Sequence, residues 1–305
     1  MKNHLSNICP LMGRHRRRHH ANVMKRMVFL FILSFFTFLL FPLRGGSEGG
    51  FFTCKAQCTF RNTAFQSGEF LSYNLYYNWK FVWAKAGSAS MSTVQSHYKG
   101  KDAYRTSLIT RGNNKVDEMF VLRDTLLSYC STDMVPLYYR KGAREGKRYT
   151  VDEVWYSYPG GSTVNLKQRR LRKDGTSTTI QNTRQECVFD MVNIFLRARS
   201  FNPTGWQKGH VVQIPIADGN GIDKAQLRYR GKSTVKADNG KKYRCLELSY
   251  MEMEKGKYKE IVRFYVTDDQ NHIPVRLDMF LRFGAAKAFL TAIKGNKNPI
   301  TSVVP

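Results

Sequence analysis

Residues 71–83 alternate without a break. Leu71, Tyr73, Leu75, Tyr77, Trp79, Phe81 and Trp83 are apolar or aromatic, and Ser72, Asn74, Tyr76, Asn78, Lys80 and Val82 stand between them. A side-chain period of two describes a strand with one buried face and disfavours a helix, whose period is about 3.6. So long a strand suits a strongly curved sheet or a partial barrel. Gly87 marks a bend or bulge before Ala89 and Met91 resume the pattern.

Similar runs occur at 103–111, 125–130, 148–158, 163–171, 176–182, 211–216, 225–230, 243–253, 257–267, 273–282 and 288–293. Between several of them stand strong turn signals: Asp174-Gly175, Asp238-Asn239-Gly240 and Asp268-Asp269-Gln270-Asn271. Regular turns with few helical periods predict antiparallel β structure. One segment differs. In 187–199, Val188, Met191, Val192, Phe195 and Leu196 approximate one helix face, and Arg197 and Arg199 near its end suit the helix dipole. The expected fold is therefore mainly β: a strongly curved antiparallel sheet or partial barrel over residues 65–295, with one amphipathic helix at about 187–199 covering or plugging the concave side. Residues 48–64 read as a linker and 296–305 as a tail.

Ahead of this body lies an apolar run at 28–41, preceded by Lys25 and Arg26. A spanning helix needs about 20 apolar residues, so the run suits the core of a signal peptide over 24–47, with an uncleaved anchor as the alternative. Gly45, Gly46 and Ser47 are small enough for a signal peptidase. Residues 1–23 are polar, rich in His and Arg, and read as an extension upstream of a true start at Met24. The expected location is the periplasm or cell envelope, with membrane association through the apolar segment. Cys54 and Cys58 do not fit a lipid-attachment box, because Phe51 and Lys55 stand three residues before them. Cys130, Cys187 and Cys245 are widely spaced. In an oxidising compartment one pair could bridge, but spacing does not choose it; burial as small apolar side chains is the other reading.

The formal charge is +26, and the first 50 residues carry eight Lys/Arg and one acid, so +19 belongs to the remainder. Such an excess suits anionic partners, namely lipid headgroups, lipopolysaccharide or acidic glycans. It is also met by solvated surface charge. Nucleic acid is not expected as a partner of an exported protein.

Gly68-Glu69-x-Leu71-x-Tyr73 with Trp79 and Gly87, then Asp190-Met191-Val192-x-x-Phe195-Leu196-Arg197, then Asp268-Asp269-x-x-x-x-Pro274-Val275-Arg276 resemble, in this order, the bacterial domain-of-unknown-function family 3108. The likeness spans residues 65–293. It implies an exported Gram-negative protein with a curved β-sheet, and it implies no activity and no catalytic residues.

The residues themselves offer little chemistry. His97, His210 and His272 are far apart and have no neighbour at metal-ligand spacing, so neither a metal nor a cofactor is expected. No nucleophile elbow or phosphate loop is present. Glu69, Asp190, Asp268 and Asp269 would serve a glycan hydrolase if two converged about 5–10 Å apart in an open cleft; otherwise they cap and turn the chain. The expected function is non-enzymatic binding of an amphiphilic or anionic envelope component. Tyr73, Tyr77, Trp79 and Trp83 would line the concavity, and Arg197 and Arg276 would meet anionic groups. Lys167, Arg169, Arg170, Arg172 and Lys173 surround a hairpin and form the expected basic surface, which also reads as a protected edge. A structural partner of an outer-membrane complex, joined through an exposed sheet edge, is the remaining alternative.

Overall fold

Alternating runs of this kind pair with their sequence neighbours, and a computed structural model shows them doing so. It describes residues 58–79, 82–118, 120–160, 162–281 and 284–305, and of Trp79 and Val82 the backbone. The expectations for residues 1–57 lie outside the described residues. Among the latter, the strands are β1 (Glu69–Trp79), β2 (Val82–Tyr98), β3 (Lys101–Gly112), β4 (Leu122–Ser131), β5 (Pro136–Glu145), β6 (Arg148–Gly160), β7 (Thr163–Arg172), β8 (Ser177–Arg184), β9 (Val211–Ala217), β10 (Ile222–Lys236), β11 (Lys242–Glu254), β12 (Lys257–Thr267), β13 (Pro274–Phe280), β14 (Ala285–Lys294) and β15 (Val303–Val304). Two helices interrupt them, α1 (Asn114–Asp117) after β3 and α2 (Met191–Ala198) after β8.

The strands form one antiparallel sheet in the order β8-β7-β6-β5-β4-β3-β2-β1-β14-β13-β12-β11-β10-β9, with β15 added beside β11. The sheet is curved and does not close, and β8 and β9 are its end strands. Register shifts in β1, β10 and β11 supply bends. Gly87 sits where β2 presses on β3: a Cβ there would lie 2.1 Å from the Arg111 carbonyl oxygen.

The run at 71–83 is two strands rather than the one expected. Trp79 opposes Val82 and Asn78 opposes Trp83. Directly opposed residues share a face, so Trp83 stands with Asn78, not with Tyr73, and is exposed. The reversal contains no Gly, Pro, Asn or Asp, so the alternation continues through it unmarked.

The helix is shorter than expected. Asp190 caps it by accepting from the backbone N–H of Val192 (3.0 Å) and Asn193 (2.8 Å). The residues before it form a strap instead: Phe189 makes a parallel bridge with Ile216 of β9, and Cys187 is disulfide-bonded to Cys58. Buried residues of α2 enter three different apolar clusters: Leu196 packs with Leu71, Tyr73 and Leu290, Ile194 with Leu227 and Leu248, and Val192 with Val154 and Leu166. Side chains therefore fill the space beneath the helix, which covers the sheet as expected and leaves Tyr73 in core rather than lining a binding surface.

Residues 58–64 are also part of the body and not a linker, since Cys58 and Ala64 are buried beside Phe65. The expected tail is pinned at Asn298 to Asn271 and at Ser302 to Asp269. Among the described residues no helix is long and apolar enough to cross a membrane.

Candidate functional site

In an antiparallel sheet, register decides which side chains become neighbours across strands about 4.8 Å apart. From β3 to β7 the pairing Arg105–Tyr129–Tyr138–Trp155–Lys167 draws one continuous row. The Tyr129 and Tyr138 rings are 6.4 Å apart and those of Tyr138 and Trp155 5.7 Å. Tyr98, at the end of β2, joins them at 5.3 Å from Tyr129 and 6.0 Å from Tyr138, stacked on the latter. All four aromatics are half-buried, and Arg105 and Lys167 are exposed. Cations flank the rings: Lys167 and Arg169 lie 5.8 and 5.5 Å from the Trp155 ring centroid, and Lys99 lies 5.5 Å from that of Tyr98.

Glu153 fixes this arrangement. It accepts from the Tyr138 hydroxyl at 2.6 Å and from Arg169 Nε at 2.9 Å. Burial, then the Glu153 carboxylate, holds the Tyr138 phenol well above its ordinary range, so it remains a neutral donor. The row thus offers aromatic surface bordered by cations, which is chemistry for an anionic ligand with apolar faces.

The residues expected to bind do not gather on one surface. Tyr73 is core. Tyr77 is half-buried, Trp83 is exposed, and the Trp79 side chain lies outside the described residues. Arg197 donates to the Cys58 carbonyl at 2.7 Å and stacks over Phe60, and burial lowers its guanidinium to about 10. Arg276 forks onto Asp278 (2.6 Å from Nε) and covers Tyr265 and Phe289. Of the basic hairpin, Lys167 and Arg169 belong to the row. Arg170 points to the buried face and pairs with Asp152 (2.6 and 3.0 Å). Arg172 donates to Thr178 and Lys173 is exposed in the turn.

The four motif carboxylates are each engaged separately. Glu69 pairs with Arg199 at 2.7 Å. Asp190 caps α2 and accepts from Ser128 at 3.0 Å, and burial raises it to about 7. Asp268 meets Lys232, and Asp269 closes the β12–β13 turn through Thr267, Asn271 and Ser302. A further set was not singled out from the sequence. Burial raises Asp124 and Asp218 to about 6 and Glu145 and Glu252 to about 7. Among the described residues no group of three His, Cys, Asp or Glu could hold a metal. A groove of about 660 Å³ lies between residues 59–62, Tyr104, Thr132, Asp133 and Lys297.

The family model described as a protein of unknown function, DUF3108, matches residues 72–291. No curated protein matches the sequence significantly. Among solved structures, one similar chain is the crystal structure of a β-barrel-like protein of a domain of unknown function, DUF1849, from Brucella abortus. It shares 11% identity over 76% of this chain and 98% of that chain, with a TM-score of 0.49.

Proposed function

The chain belongs to the DUF3108 family, and we propose that it serves as a non-enzymatic binding protein of the bacterial cell envelope, taking an anionic glycan along the aromatic row on its outer face. The observation that carries this reading is the row itself, Tyr98, Tyr129, Tyr138 and Trp155 bordered by Lys99, Arg105, Lys167 and Arg169. Aromatic rings accept the apolar faces of sugar rings, and the cations meet carboxylates or phosphates on the same polymer. The body charge of +19 favours encounter with such a polymer. Because apolar side chains fill the space under α2, a polymer lying on the surface fits better than an acyl chain carried inside.

Export is supported by the apolar run at 28–41 behind Lys25 and Arg26. The Cys58–Cys187 disulfide agrees, because such bonds persist in oxidising compartments. Native mass spectrometry of the protein purified from envelopes tests the binding. A retained saccharide of defined mass is expected, and a bare protein mass after incubation with envelope glycans counts against the proposal.

A further inference from the structure

Exposed apolar bulk is unevenly distributed. Trp83, Tyr149, Met253 and Phe280 are four of the large hydrophobic side chains standing exposed among the described residues, at 39–41%. All four sit at strand ends on the same end of the sheet: the start of β2, the start of β6, the end of β11 and the end of β13. Trp83 and Phe280 also share one cross-strand row, through Asn78 and Ala285.

Cations accompany them. Lys287 Nζ lies 4.3 Å from the Trp83 ring centroid, and the Arg263 guanidinium 5.6 Å from that of Phe280. Lys85 is exposed two residues beyond Trp83. The turns at this end repeat the sign: Lys147 between β5 and β6, Lys173 between β7 and β8, and Lys255 between β11 and β12. Of the acids beside these three lysines, Asp174 accepts from Thr176 within its own turn and Glu254 pairs with Lys259. Large aromatics beside Lys and Arg are the side chains that settle at a membrane–water boundary, where the ring enters the headgroup layer and the cation meets phosphate.

We propose that this rim docks on an anionic lipid bilayer, with Trp83 and Phe280 entering the interface and Lys85 and Lys287 meeting headgroup phosphates. The glycan row is a separate surface on β2–β7, so the two proposals stand independently. The occupant is a bilayer because exposed apolar side chains are spread over several turns around a strand-end rim, where a planar surface reaches them together. Exposed Lys147, Lys173 and Lys255, one in each of three of those turns, match anionic headgroups.

The test is vesicle co-sedimentation of the full chain on phosphatidylglycerol-containing and phosphatidylcholine vesicles. The N-terminal apolar and basic residues contribute alike in every variant, so differences between variants are the readout. Lys85→Glu with Lys287→Glu is expected to weaken binding to the anionic vesicles by about fivefold or more per site. Trp83→Ser with Phe280→Ser is expected to weaken it further, with the thermal midpoint unchanged because these side chains are exposed. Trp155→Ala should leave it unaltered. Equal binding of all variants to anionic vesicles, or equal binding of the wild type to both vesicle types, overturns the proposal.

Discussion

Arg199, the residue that ends α2, donates from Nη2 to Glu69 Oε1 at 2.7 Å across 130 positions of sequence, and both side chains are buried. Its Nε also donates to the Asn271 carbonyl at 3.0 Å. One guanidinium therefore joins the helix, the start of β1 and the β12–β13 turn. These are the three segments on which the sequence resemblance rests, and the guanidinium ties them together. Removing one member of a buried pair leaves an uncompensated charge, at a cost of about 3–5 kcal/mol. Arg199→Ala and Glu69→Ala are each expected to lower unfolding stability in urea by that amount, and Glu69→Leu with Arg199→Met to recover most of it. Wild-type midpoints in both single variants would refute the role.

Cys58 and Cys187 close a loop of 129 residues. In the chain-entropy view a crosslink of that span stabilises by about 4–5 kcal/mol, mostly through the unfolded state. Cys58→Ala with Cys187→Ala is expected to lower the calorimetric midpoint strongly. Cys130 and Cys245 are buried, and burial pushes both thiols up to about 12, so neither forms a reactive thiolate near neutrality. Peptide mapping after alkylation of the folded protein should find both unlabelled; labelling of either at neutral pH contradicts their burial.

Asp124, Glu145, Asp190, Asp218 and Glu252 are raised to between about 6 and about 7, chiefly by burial. A carboxyl whose pKa is higher folded than unfolded binds its proton more tightly in the folded state. Its contribution is complete below the unfolded value and is lost as pH rises through the folded one. His272, lowered by burial, acts in the opposite sense below about 6.5. With five carboxyls against one imidazole, thermal stability is expected to be higher near pH 5.5 than at pH 8. Asp124→Asn with Glu145→Gln should flatten that difference. A midpoint that rises from pH 5.5 to pH 8 would contradict it.

Much of the sheet was legible because period two and Asx-Gly turns are local. The runs at 163–171 and 176–182 become β7 and β8 around Asp174-Gly175, and the run at 257–267 is β12. The reversal between Trp79 and Val82 was not legible, since its residues carry no turn chemistry. Nor was the partner of Cys187, because Cys58 stands in a stretch that reads as linker until it is packed. The aromatic row escaped for another reason. Tyr98, Tyr129, Tyr138 and Trp155 lie on four strands, and only the register brings them together. The signal along the chain, Lys167 and Arg169 in the basic hairpin, marked one edge of the row and not its rings.

Calorimetric titration with a deacylated, phosphorylated lipopolysaccharide saccharide tests the central claim most directly, because it offers the anionic glycan without acyl chains. The wild type is expected to bind, more weakly as salt rises. Tyr138→Ala with Trp155→Ala should lose about tenfold or more, as withdrawal of two aromatic faces from the sugar rings, at about 0.5–1.5 kcal/mol each, implies. Absence of binding by the wild type, or equal affinity in the double variant, would contradict the account.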